Sequence, residues 1–231
     1  MSKVTLELNE HVALMTMDSG ENRFNFPFFE EFNQTLDKLE QETDATVLVV
    51  KSSHSKIWSN GIDLEWLQAA IEQEGKGVLE QFKFEMWSLM RRVLALPIIT
   101  VAAITGHAFA GGAFLSFAHD FRFMRSDRGW ICLPEVDLKI PLGPVFTVLC
   151  KRALPDYKFE EMLYTGKRLT AEECATHNIV TKAVHIDRLM VETMAFAKSL
   201  NKGRDIIGPM KQETHKDALV VIDAAIAELN V

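Results

Sequence analysis

Cysteine is scarce in this chain: Cys132, Cys150 and Cys174 are the only three in 231 residues. They are far apart and odd in number, so they form neither a disulfide framework nor a metal or redox spacing. Buried thiols in a reducing compartment are expected. No apolar run reaches the roughly 18 residues that a membrane span needs, because Asp217, Asp223 and Glu228 cut the C-terminal one. Positive charge is in deficit: 25 Lys and Arg face 32 Asp and Glu, a net charge of −7. That balance argues against nucleic acid as the main partner, and a polyanionic ligand would need a local basic cluster. The opening Met-Ser-Lys-Val-Thr-Leu-Glu has no signal-peptide core, and the closing Leu-Asn-Val is not a peroxisomal address, so a cytoplasmic location is expected. No G-x-G-x-x-G, internal repeat or low-complexity tract is apparent.

What is present centres on residues 98–124. Ile98 to Ile104 has the β-branched content of a fully buried strand. Gly106 breaks it, and Gly111-Gly112 opens an apolar helix through Ala118. A strand, a glycine-bearing turn and a helix start leave backbone N–H groups unpaired, with the helix dipole adding positive charge. Gly106 and Gly111 have phosphate-loop spacing, but Gly112-Ala113 stand where Lys and Ser or Thr would be required. Spacing alone leaves open whether the glycines serve a ligand or only close helix–strand packing. Trp58-Ser59-Asn60-Gly61-Ile62-Asp63-Leu64 repeats the arrangement of strand end, glycine and helix start.

Elsewhere the pattern predicts a hairpin (Val4 to Leu8, Val12 to Met17), a helix over 27–42 and a strand from Val47 to Lys51. Residues 65–77 read as a mixed, mobile segment containing Gly75-Lys76-Gly77. A long helix follows to Leu96, then the central strand and a short one at 121–124. Further helices are expected from Pro144 to about Leu154, over 156–164, after a Thr170–Glu173 capping box, and from an Asp187 cap through Leu200. A strand is expected over 180–184. The last helix should begin near Pro209, with a stripe from Leu219 to Leu229 broad enough for an oligomer contact. Together these make an α/β domain with a helical C-terminal part, divided as a core over 1–185 and a helical region over 186–231. Glu135 on this reading is a surface carboxylate in a Pro-Glu turn.

The 58–64 and 106–113 segments resemble the two oxyanion-hole segments of the crotonase (enoyl-CoA hydratase/isomerase) family. Leu133-Pro134-Glu135-Val136 resembles its motif bearing a catalytic glutamate, and 166–180 resembles its downstream helix–strand segment. The resemblance implies a crotonase-like ββα spiral, usually trimeric or a dimer of trimers, acting on acyl-CoA thioesters. It implies no cofactor beyond the coenzyme A carried by the substrate, no metal and no membrane partner. It further implies that the N–H groups of Ile62 and Gly111 hold the thioester oxygen and that Glu135 is the acid/base. The apolar neighbours Ile131, Leu133, Pro134 and Val136 would raise the pKa of Glu135.

Asn60, Gly61, Asp63 and Gly112 belong to the same segments. Lys56 and Arg23 are expected near the CoA phosphate and nucleotide. Trp66, Phe114 and Phe146 are expected to border an acyl pocket suited to an apolar chain. Hydratases of the family carry a second glutamate where this chain has Phe114, and dienoyl-CoA isomerases an Asp where it has Gly143. One carboxylate suffices for a 1,3-proton shift, so the pattern resembles Δ3,Δ2-enoyl-CoA isomerases. Asp63, Asp137 and His107 are weaker candidates for a second group. The alternatives are a hydratase or lyase of the family, and a non-catalytic acyl-CoA-binding protein.

Overall fold

The computed structural model describes residues 3–229; Asn230 and Val231, part of the closing tripeptide, lie outside them. In chain order the strands are β1 (Val4–Asn9), β2 (Val12–Met17), β3 (Arg23–Phe24), β4 (Val47–Ser52), β5 (Ile57–Ser59), β6 (Gly61–Ile62), β7 (Ile99–Ile104), β8 (His107–Phe109), β9 (Phe121–Arg125), β10 (Ile131–Cys132), β11 (Arg168–Leu169) and β12 (Lys182–Val184). The helices are α1 (Phe26–Glu42), α2 (Leu64–Glu74), α3 (Gly77–Ala95), α4 (Gly111–Ala118), α5 (Glu135–Leu138), α6 (Pro144–Ala153), α7 (Asp156–Thr165), α8 (Ala171–Thr176), α9 (Ile186–Lys198), α10 (Arg204–Thr214) and α11 (Lys216–Ala227).

A six-stranded sheet runs β1-β2-β4-β7-β9-β12, parallel except for the β1–β2 hairpin. A second sheet runs β11-β10-β8-β5. The chain therefore repeats one unit: a strand of the large sheet, a short extended piece beside it, then a helix (β4-β5-α2, β7-β8-α4, β9-β10-α5). The repeat is invisible in the sequence because each unit needs only an apolar strand and a turn, which many residue combinations supply. This is the ββα spiral that the resemblance implies.

The continuous apolar runs of β4 and β7 are explained by burial on both faces. Leu48, Val50, Ala102 and Ile104 enter the core under α1, α3, α4, α6 and α11. Val47, Val49, Val101 and Ala103 enter the one under α9. The three cysteines are free and buried.

Four expectations are corrected. Residues 64–74 form a regular helix rather than a mixed stretch, stopped at Gly75, whose φ is +92°. The cap of α9 is His185, which accepts the Asp187 amide, so Asp187 lies in the first turn. The last segment is two helices: α10 starts at Arg204, before Pro209, and α11 follows. Arg204 donates to the carbonyls of Leu39, Glu40, Thr43 and Ala45 at the end of α1. That tertiary anchor starts α10 early and offsets the hydrogen bond Pro209 cannot make. The expected broad stripe of α11 is narrow: Leu219, Ile222 and Ala225 are buried, whereas Val220 is exposed. The Thr170–Glu173 capping box is present as expected.

Helix α4 is buried along its whole length, so its terminal carbonyls need partners within the protein. Arg122 donates to the carbonyls of Ser116 and His119, and Arg152 to those of Phe117 and His119. Asp120 accepts from Lys211 at 2.8 Å and Arg152 at 3.3 Å, tying α10 to this end of α4. Burial alone would raise the Asp120 carboxyl, but His215, Lys211 and Arg152 hold it well below its ordinary range. Asp120→Asn leaves the buried Lys211 and the half-buried Arg152 without their counter-charge and is expected to destabilise the fold by about 3–5 kcal/mol, read as a lowered urea midpoint at unchanged slope.

Candidate active site

The N-terminus of α4 faces a cavity of about 340 Å³, lined by Arg23, Asn60, Ile62, Gly111, Phe114 and Glu135 together with Leu138, Ile140, Leu142 and Phe146. Strand β6 brings Ile62 there by pairing with β3, and this ladder uses the Asp63 amide, which donates to Phe24 O at 3.0 Å. Successive amides of an extended chain point to opposite edges, so the Ile62 N–H faces away from β3. Gly111 is the first residue of α4, where an N–H has no intrahelical acceptor. The residue before it, Ala110, is held at φ +48° and ψ −121°, a sparsely populated backbone region that costs on the order of 1–3 kcal/mol.

Glycine is required where the two segments meet. A β-carbon on Gly61, at φ +70°, would lie 2.5 Å from the Gly111 nitrogen, and one on Gly112 would lie 2.3 Å from the Ser59 carbonyl oxygen. The packing and ligand readings left open by the spacing therefore coexist: Gly61 and Gly112 permit the close approach, and the approach brings Ile62 and Gly111 to one cavity wall.

Glu135 opens α5 and is 7% exposed, with its Oε2 buried and lacking a hydrogen-bond partner. It is the one acidic side chain among the described residues lining the cavity. Burial pushes its carboxyl up to about 7, against a smaller opposing effect of its own backbone amide. The expected source of burial is partly corrected: Val136 is not part of this cavity wall, whose apolar side chains include Pro134, Leu142 and the more exposed Leu138 and Ile140, with Phe114 and Phe146. The last two rings stack at 4.3 Å between centroids and 19° between planes.

A carboxylate of this kind acts as a base only when ionised. If it does so here, kcat/KM should rise with pH, reach half its plateau near pH 7 and stay flat above. A profile already flat from pH 5.5 would remove Glu135 from that role.

The structure places the remaining expected site residues as follows. Arg23 lines the cavity but is paired with Glu21 at 2.7 Å, and Glu21 also accepts from Asn60 Nδ2 at 2.9 Å. Lys56 is exposed and is not part of the cavity wall. Trp66 does not line it either: it packs edge-on against Phe26, at 4.9 Å, and against Phe82. Asp63 caps α2 by accepting the Trp66 amide. Asp137 lies against Gly166, and His107 stacks on Trp130, so neither stands among the cavity-lining residues. The sequence reading missed Leu138, Ile140 and Leu142, which follow the Pro-Glu turn and carry no motif.

A fold of ββα units brings the Ile62 and Gly111 backbone and a buried carboxylic acid to one cavity. Residues 7–228 match the family described as Enoyl-CoA hydratase/isomerase, and the chain belongs to that family. It is 31% identical over 204 residues to enoyl-CoA delta isomerase 3 of Arabidopsis thaliana, covering 85% of this chain and 84% of that protein. It is 26% identical over 227 residues to (E)-benzylidenesuccinyl-CoA hydratase of Thauera aromatica, covering 94% and 82% respectively. The fold matches the apo enoyl-CoA isomerase structure of Mycobacterium tuberculosis with a TM-score of 0.88 at 21% identity, covering 99% of this chain and 97% of that one.

Proposed function

We propose that this protein is a Δ3,Δ2-enoyl-CoA isomerase. The observation that carries the reading is the single acidic side chain on the cavity wall, Glu135, with Phe114 where a hydratase would need a second carboxylate. The thioester oxygen sits between the Ile62 and Gly111 amides. Glu135 takes a proton from C2, negative charge develops on that oxygen as the enolate forms, and the two amides stabilise it. The same carboxylic acid returns the proton at C4, moving the double bond into conjugation with the thioester. Addition of water would need a second group to activate it, and the stacked Phe114 and Phe146 rings offer none. Those rings favour an apolar acyl chain. The similarity to delta isomerases at about 30% identity over most of the chain supports this reading.

The test is spectroscopic: the protein should convert 3-enoyl-CoA to the conjugated 2-enoyl-CoA and hydrate 2-enoyl-CoA poorly. Phe114→Glu should add measurable hydratase activity. A wild-type protein that hydrates faster than it isomerises would overturn the assignment. Assembly as a homotrimer or hexamer and a cytoplasmic location are part of the same proposal, checked by sedimentation and by localisation of the full chain.

A further inference from the structure

Apolar side chains are costly to leave in water, and this chain concentrates several of them beside Glu135. Residues 136–141 are all exposed, and Val136, Leu138, Ile140 and Pro141 among them are apolar. Scattered singly, such residues would carry no message; a contiguous set marks a surface that takes up something apolar. Leu138, Ile140 and Pro141 also line the catalytic cavity, so the patch begins at the site itself.

From there the patch continues into a second cavity of about 530 Å³, formed by α5, α6, α7 and the 140–142 segment. Ile140, Pro141 and Leu142 belong to the walls of both cavities. Helix α7 adds further apolar wall: Phe159 is buried in the main core and Leu163 packs against it. Tyr164, in the last turn of α7, also lines this cavity and is 67% exposed. Exposed Lys151, Asp156 and Glu160 contribute charges of both signs, so the cavity does not single out an ion.

The catalytic cavity offers no comparable extension past Phe114. That ring is buried in the main core and stacks on Phe146. A chain too long for the catalytic cavity therefore meets a closed aromatic wall on one side and an apolar path over Ile140 and Leu142 on the other.

We propose that the second cavity holds the distal part of a long acyl chain whose reacting carbons lie at Glu135. This inference rests on the acyl-CoA reading above and narrows it to long-chain thioesters. Residues of the second cavity take no part in the proton transfer. They select substrate by removing methylene groups from water, each worth about two- to fourfold in affinity. Leu163 and Tyr164 are thereby specificity-determining residues that no motif marks.

Calorimetric titration of the full chain with saturated acyl-CoAs from butanoyl to dodecanoyl, kept below their micelle concentrations, tests the inference. Affinity should keep rising along the series, by about two- to fourfold per methylene. Leu163→Ser and Tyr164→Asp should each weaken dodecanoyl-CoA by about tenfold and leave butanoyl-CoA within about twofold of the wild type. Tyr164→Phe should keep the wild-type preference. Affinity that stops rising beyond hexanoyl-CoA, or dodecanoyl-CoA binding indifferent to both substitutions, overturns the inference while leaving the acyl-CoA reading intact. Failure to bind any acyl-CoA overturns both. A rise with chain length in a protein that fails the isomerase assay supports the second cavity and contradicts the isomerase reading alone.

Discussion

Glu135→Gln should cut isomerisation of 3-enoyl-CoA by about a hundred- to ten-thousandfold, the range for losing a positioned acid/base, with KM little changed. Glutamine keeps the shape of the side chain but cannot hold the migrating proton. The same variant should be more stable than the wild type in alkali. The folded-state pKa of Glu135, about 7, lies above the ordinary value of 4.5. Its protonated form therefore favours the folded state below pH 4.5, and that contribution is lost as pH rises through 7. At pH 8 the wild type carries a buried, ionised carboxylate that glutamine lacks, a difference on the order of 3 kcal/mol. Thermal unfolding at pH 5 and pH 8 should show the advantage of the variant growing with pH. An advantage that shrinks with pH would mean that Glu135 is ionised by a partner rather than neutralised by burial.

The second large effect is expected from Gly61→Ala. The proposed oxyanion donors are main-chain groups, which ordinary side-chain replacement cannot remove. A methyl group at residue 61 would meet the Gly111 nitrogen at 2.5 Å and the Phe109 carbonyl oxygen at 2.9 Å, so the two amide-bearing segments must separate. Misplacing one oxyanion donor costs about a hundred- to a thousandfold in kcat, and a fall of that size is expected while the protein remains folded. Gly75→Ala is the control: its φ is also positive, at +92°, but its β-carbon would meet nothing within 4 Å. It should lose some stability and no activity. Equal activity losses in the two variants would assign the Gly61 effect to general destabilisation.

The parts of the site that could be read in advance are those set by local backbone chemistry. Gly61 and Gly112 mark close approach because a β-carbon there would meet backbone atoms, and the apolar runs of β4 and β7 mark buried strands of an α/β domain. Glu135 stood out only through family resemblance, since a Pro-Glu turn by itself reads as surface. Its burial depends on Phe114, Phe146 and the 138–142 segment, a long-range arrangement with no local signature. The same holds for Asp120, an acid between α4 and β9 that gains its Lys211 partner only from α10, far along the chain. Arg204 likewise begins a helix ahead of Pro209 by binding the end of α1, more than 150 residues earlier. Side chains that act across the fold leave little trace in short-range pattern.

A crystal structure of the Glu135→Gln variant with a 3-enoyl-CoA bound would bear most directly on the proposed chemistry. The account predicts the thioester oxygen within about 3 Å of both the Ile62 and Gly111 nitrogens, with the residue 135 side chain spanning C2 and C4. A thioester oxygen bonded elsewhere, or a side chain at 135 beyond reach of both carbons, would contradict it.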